Sequence, residues 1–248
     1  MILPIGDENY GRRETPIVVY LLIAANVLVF FIQLIEGDLF TAAYAAIPYE
    51  ITHNVDLTEP VLVRGLGVIP QAPGPVPIYL TLITSMFMHG GFMHIAGNML
   101  YLWIFGDNIE DNFGHARFLI FYLICGIAAA LAQIWFDPNS VIPTVGASGA
   151  ISGVLGAYLL MFPGNRVRAL LPLGFIWTTV ELPAVIVLGF WIVVQLMNQL
   201  ATIAPYTAQA RGGGIAYMAH IGGFFTGAAL SFLFRRQRRR YYYYYDDE

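Results

Sequence analysis

Long uncharged runs alternate with short polar segments along this chain. A helix needs about 20 mostly apolar residues to cross a bilayer, and six segments supply them. The first is Pro16 to Ile35, too long for a signal-peptide core and not followed by a small-residue cleavage site, so it reads as a retained span. The second lies within Ile78 to Phe105, where His89-Gly90-Gly91 interrupts the run and the helix is expected to start near Phe92. The third is His115 to Phe136. The fourth is Thr144 to Phe162, bounded by Pro143 and by Pro163-Gly164, both helix-breaking signals. The fifth covers about Leu182 to Leu200 and the sixth about Gly214 to Phe234. The pattern predicts an all-α membrane protein, a bundle of six transmembrane helices spanning 16–234. Residues 1–15 form a short N-terminal segment and 235–248 a tail. The stretch 36–77 carries six prolines and is read as a long outer loop, too short for a separate domain.

Composition sharpens this picture. Hydrophobic residues make up 58% of the chain and charged residues 11%, against roughly 25% charged in a soluble domain. That excludes a soluble enzyme or a disordered chain. All 12 basic residues are arginines and the net charge is −4, so the broad basic field that nucleic acid demands is missing. A single cysteine, Cys125, excludes an internal disulfide framework and a thiolate metal cluster; it reads as a small core residue of the third span. With six spans, ten of the 12 arginines fall on one face, including Arg12, Arg117, Arg166 and the cluster from Arg235 to Arg240; Arg64 and Arg211 fall on the other. The positive-inside rule then puts both termini in the cytoplasm. The arginine cluster suits an anchor near anionic lipid, followed by a disordered tail of tyrosines and acids.

In lipid the polar residues carry the information, because each is costly there. Spans two, four and six run in the same direction, and their outer ends hold His94 and Asn98, Ser148, and His220. At ~1.5 Å per residue, all four lie within roughly 10 Å of their helix starts, at a shared depth. Gly149 and Gly153, and Gly223 and Gly227, are spaced four apart, with Gly156 extending the stripe; small residues at this spacing let helix backbones approach. If the fourth and sixth helices pack through them, His220 reaches Ser148 and converts a weak nucleophile into a good one. His94, Asn98 and the Ser148 backbone N–H are candidate donors to an oxyanion. Gly146 and Gly149 keep the backbone beside the nucleophile bare. Asp107, Glu110, Asp111, Asp137 and Glu181 are expected at or near helix ends, away from this layer, so a Ser–His dyad with slow chemistry is the economical reading. Taken singly, Ser148 and the glycines fit simple packing. His94 and Asn98 also fit interhelical hydrogen bonds, and His220 a proton path. Ser152, one turn after Ser148, either supports the site or packs. His53 and His115 are expected in or beside loops, solvated. A metal site from His89, His94 and His220 is disfavoured because no carboxylate lies nearby.

Together the elements Gly146-Ala147-Ser148-Gly149, Ala219-His220-x-Gly222-Gly223-x-x-x-Gly227 and His89-x₄-His94-x₃-Asn98 resemble the rhomboid family of intramembrane serine proteases. The resemblance extends over about Pro16 to Phe234. It implies Ser148 as nucleophile, His220 as general base, His94 and Asn98 as oxyanion-hole side chains, and His89 as a neighbour of the site. It also implies a water-accessible cavity opening to the outer face and lateral entry near the second and fifth helices. Substrates are then transmembrane proteins, cleaved in the bilayer without metal, cofactor or nucleic acid. The short N-terminal segment suits a bacterial inner membrane. Two positions depart from the family pattern. Ser152 stands where many members place an aromatic that stacks on the catalytic histidine, and residues 36–77 lack the Trp-Arg pair of some members. A catalytically silent scaffold that binds client helices is the alternative, and a small transporter using His94 and His220 as relays is a third reading.

Overall fold

The computed structural model describes residues 3–9, 12–173, 176–203 and 215–236. Arg211, Gly214 and the tail from residue 237 onward lie outside the described residues. In chain order the elements are β1 (Leu3–Asp7), α1 (Ile17–Glu36), α2 (Asp38–Tyr44), α3 (Pro48–His53), β2 (Val61–Val63), β3 (Gly67–Ile69), α4 (Thr81–Thr84), α5 (Phe92–Phe113), α6 (His115–Phe136), α7 (Ser148–Met161), β4 (Arg166–Leu173), β5 (Ile176–Pro183), α8 (Ala184–Ile203) and α9 (Tyr217–Phe234).

Helices α1, α6, α8 and α9 are long and apolar enough to cross a membrane. Helix α5 passes the same test only together with the short helical stretch Ile78–Phe87, from which it is bent by 80° across the break that holds His89-Gly90-Gly91. Helix α7 has 14 residues, about 21 Å at 1.5 Å per residue against a hydrocarbon core of about 30 Å. Its shortness is tolerated because Gly149 through Tyr158 are all buried: protein, not lipid, surrounds it. The chain is therefore an integral, multi-pass, mainly helical membrane protein.

Helix α7 is held at backbone contact by its neighbours. A Cβ added to Gly223 would meet the Gly149 carbonyl oxygen at 2.1 Å, and one on Gly227 would meet the Gly153 oxygen at 2.0 Å. On the reverse face of the contact, a Cβ on Gly156 would meet the Phe224 oxygen at 2.0 Å. Helix α6 closes on the same helix through Cys125, which leaves a Cβ on Gly153 only 2.5 Å of room. In lipid, such contacts hold helices by dispersion and weak Cα–H···O bonds rather than by hydrophobic burial.

Two features differ from the sequence expectation. First, α5 runs eight residues beyond Phe105 and carries Asp107 and Glu110 within it, buried. The reason lies in α1, whose first turn has no side-chain cap of its own. The carboxylate of Glu110 accepts the Val18 and Val19 N–H groups, each at 2.8 Å, and so satisfies amides that the start of a helix leaves orphaned. Asp107 accepts from Arg12 at 2.7 Å. His115, expected beside a loop at the start of the third span, is the first residue of α6, keeps a partly exposed side chain and contacts Glu110 at 2.5 Å. His53 does lie exposed, stacked on Tyr49. Second, the segment between the fourth and fifth apolar runs forms a hairpin, β4–β5, to which β1 adds as a third antiparallel strand in the order β1-β4-β5. Alternation explains the strand: Val167 and Ala169 are fully buried and alternate with the exposed Arg166 and Arg168.

Strand β1 is fastened to the bundle by Asp7, whose carboxylate accepts from Tyr158 of α7 and from Asn108 of α5 at 2.8 Å. Burial pushes the Asp7 carboxyl up from 3.8 to about 7, with the Tyr158 hydrogen bond opposing. At this same end Arg236, just past α9, donates to Glu14 at 2.6 Å and its N–H to the Asn112 carbonyl. The entry to α1, the α5–α6 turn and the exit of α9 thus share one end of the bundle.

Candidate active site

The opposite end holds a cavity of about 780 Å³ lined by His94, Asn98, Ser148, Trp191 and His220, with Leu66 of the β2–β3 turn at its edge. The chain reaches it through residues 144–147, which are not helical as the sequence had suggested. Thr144 makes a β-bridge to Ala46, and the Gly146 N–H donates to the Ser85 carbonyl at 2.9 Å. Gly146 has φ +126°, a conformation open to glycine. Helix α7 therefore begins at Ser148, four residues later than expected. That start leaves the Ser148 N–H without a partner inside the helix.

His220, in the first turn of α9, brings its Nε2 to 2.9 Å from Ser148 Oγ. The glycine contacts between α7 and α9 lie one and two turns beyond this pair, so backbone packing sets their separation. Ser152 Oγ donates to the Ser148 carbonyl at 2.6 Å; it touches the backbone of the site and leaves the His220 ring alone. Another helix contacts that ring. Trp191 of α8 lies against it with centroids 5.8 Å apart at 38°, and the buried Gln195 places Oε1 2.9 Å from His220 Nδ1. Sequence reasoning missed both residues. The available signal was a glutamine in an apolar span, one turn after a tryptophan.

His94 and Asn98 stand on the first two turns of α5. The Gly90 N–H donates to His94 Nδ1 at 3.2 Å, which makes that nitrogen the acceptor and assigns the ring hydrogen to Nε2. A Cβ placed on Gly146 would lie 2.8 Å from His94 Nε2 and 3.6 Å from Asn98 Nδ2. Both donors therefore converge on the bare face of Gly146, two residues before the serine. Asn98 is buried, and its Nδ2 has no hydrogen-bond partner among the described residues. An orphaned buried donor is costly, and its residue lines the cavity, where a ligand oxygen would satisfy it.

His89 is buried behind this pair, its ring edge-on to His94 at 5.2 Å. Gln33 of α1 clips its backbone: the His89 N–H donates to Gln33 Oε1 at 2.9 Å, and Gln33 Nε2 donates to the His89 carbonyl at 3.2 Å. Gly149 packs against Ala129 of α6. Among the described residues, no three His, Cys, Asp or Glu side chains are grouped to hold a metal ion.

Comparison with known proteins agrees with the motifs. The family model described as Rhomboid domain matches residues 78–237. The chain is 33% identical over 219 residues to "Rhomboid protease GluP" of Bacillus subtilis (strain 168), which covers 88% of this chain and 36% of the relative. It is 32% identical over 152 residues to "RHOMBOID-like protein 6, mitochondrial" of Arabidopsis thaliana, covering 61% of this chain and 42% of the relative. It is also 32% identical over 154 residues to "Rhomboid protein 1, mitochondrial" of Saccharomyces cerevisiae, covering 60% of this chain and 40% of the relative. The chain thus spans about two fifths of the length of these relatives, which come from a bacterium, a plant and a yeast. With more than half of its residues inside the family model and the serine, histidine and asparagine elements at one cavity, this chain belongs to the rhomboid family.

Proposed function

We propose that this chain is an intramembrane serine endopeptidase that cleaves transmembrane proteins through a Ser148–His220 dyad. The observation that carries the reading is the 2.9 Å contact between Ser148 Oγ and His220 Nε2 at the wall of the cavity. In the first half-reaction Ser148 Oγ attacks the carbonyl carbon of a peptide bond while His220 Nε2 accepts its proton. The oxyanion that forms is met by the Ser148 N–H, His94 Nε2–H and Asn98 Nδ2, donors fixed in place before the substrate arrives. His220 then returns the proton to the leaving amine as the C–N bond breaks. A water, deprotonated by the same histidine, cleaves the acyl-serine ester and regenerates the enzyme. Over the cycle the serine's proton leaves with the amine, and a proton from the water, relayed by His220, restores the Ser148 hydroxyl. Both termini are assigned to the cytoplasm from the arginine bias, and the cavity to the outer face of a bacterial inner membrane.

Labelling of the detergent-solubilised protein with a fluorophosphonate tests this. The expected result is an adduct mapped to Ser148, absent from Ser148→Ala and from His220→Ala, with cleavage of a single-span substrate lost in both variants. Full cleavage by Ser148→Ala, or client binding by a well-folded wild type that never labels, overturns the reading.

A further inference from the structure

We propose that Gln195 is the positioning residue of the dyad: its side-chain carbonyl holds His220 in the tautomer that keeps the Nε2 lone pair facing Ser148. The inference rests on the serine-protease reading and supplies a third member that the sequence motifs do not contain.

The two ends of the Gln195 amide are told apart by their surroundings. Its Nε2 donates to the Trp191 carbonyl one turn back on α8, at 3.4 Å. A carbonyl only accepts, so the NH₂ group belongs on that side, and Oε1 is the end that faces His220 Nδ1 at 2.9 Å. An acceptor at Nδ1 obliges that nitrogen to carry the ring hydrogen. The lone pair then sits on Nε2, 2.9 Å from Ser148 Oγ. Trp191 adds a second restraint by limiting the tilt of the ring. When His220 takes the serine proton, both ring nitrogens carry hydrogen, and the Nδ1–H···Oε1 bond persists and strengthens with the charge. The proton then leaves from Nε2 to the amine, so the amide neither gains nor loses a proton over the cycle. An amide oxygen performs this role without placing a second ion beside the site, where a buried carboxylate is expensive.

The helices divide the work. Helices α7 and α9 fix how far Ser148 stands from His220 through their glycine contacts, whereas α8 fixes which nitrogen carries hydrogen and how the ring is turned. Loss of Gln195 therefore alters the chemical step and leaves substrate binding alone.

The experiment compares the full-length wild type, Gln195→Leu and Gln195→Glu in detergent, with the concentration dependence of fluorophosphonate inactivation as readout. A second readout is the ¹⁵N spectrum of the His220 ring in a Ser148→Ala background. A wrong tautomer in a soluble triad costs about 10⁴-fold; Gln195→Leu leaves a mixture, so its maximal inactivation rate falls roughly 10- to 100-fold at unchanged half-saturation. Gln195→Glu, which keeps an acceptor oxygen at the same reach, recovers most of that loss. The ring of Ser148→Ala shows the hydrogen on Nδ1, and the double variant with Gln195→Leu shows both tautomers. A folded Gln195→Leu that reacts at the wild-type rate, or a Ser148→Ala ring with its hydrogen on Nε2, overturns the proposal. If Gln195→Leu fails to fold, the Ser148→Ala spectrum and the Gln195→Glu rate decide. Absence of any adduct on wild-type Ser148 counts against the serine-protease reading instead, and the ring spectrum still judges Gln195.

Discussion

The two ends of the helical bundle use buried polar groups in opposite ways. At the end that carries Glu14 and Arg236, polar side chains are engaged in holding segments together. Glu110 caps α1, Asp107 meets Arg12, and Asp7 fastens β1 to α5 and α7. At the cavity end donors are left over: Asn98 Nδ2 is buried and orphaned among the described residues, and His94, Asn98 and Ser148 line the same hollow. The first arrangement gains stability from each hydrogen bond. The second forgoes that gain and, on the proposed function, keeps donors oriented for a charge that exists only during reaction. Substitutions at the two ends should therefore separate activity from stability.

The largest effect belongs to the cavity end. On the proposed function Asn98→Ala removes one oxyanion donor and should lower kcat by about 10²- to 10³-fold. Its thermal midpoint should hold or rise, because the deleted group had no partner to lose. A midpoint lowered along with the rate would show that Asn98 is structural and would erase the contrast.

At the other end, Glu110→Ala should act in reverse. It strips the acceptor from two α1 amides and should cost about 2 kcal/mol of stability, in the range of a lost helix cap or a buried unsatisfied donor. Fluorophosphonate labelling per folded molecule should stay within about threefold of wild type, since the change lies a bundle length from the serine. Equilibrium unfolding in mixed detergent, run beside the labelling assay, checks both halves.

The last prediction concerns pH. The Asp7 carboxyl is raised in the folded chain, mainly by burial, from 3.8 to about 7. The folded state therefore holds the proton more tightly than the unfolded state. The stability this contributes is present in full below about pH 4 and is lost as pH rises through about 7. Asp7→Asn should flatten that slope in thermal melts between pH 4 and 7 while leaving the loss from other groups in place. Glu50, raised to about 7 mainly by burial in α3, slopes the same way and remains in the variant as an internal control. An unchanged slope in Asp7→Asn would mean that β1 does not hold this carboxyl buried in solution.

Much of the architecture could be read from the chain because lipid makes the code simple. A run of apolar residues long enough to span has few alternatives, and the third span, His115 to Phe136, coincides with α6 to the residue. The four candidate site residues stood out for the same reason, since Ser, His and Asn are conspicuous in an apolar background. The start of α7 was misjudged by four residues because Thr144 and Gly146 are drawn out of the helix by Ala46 and Ser85, partners far away in the chain. The end of α5 was misjudged likewise: its acids Asp107 and Glu110 find partners, Arg12 and the first amides of α1, about 90 residues earlier. Gln195 carried a visible signal, an amide in an apolar helix, but no local pattern connects it to a histidine 25 residues later.

The sequence by itself determined which segments enter the membrane, which of them approach closely through small residues, and which few polar groups had to find partners. Those properties follow from transfer energies and side-chain size, which each residue brings with it. Only the tertiary structure decided what the partners are. It set Glu110 on the α1 amides, joined β1 to a hairpin more than 150 residues away, and placed Trp191 and Gln195 against His220. Hydrogen bonds and ring contacts depend on distances of a few ångströms between elements, and those distances come from packing, not from spacing along the chain.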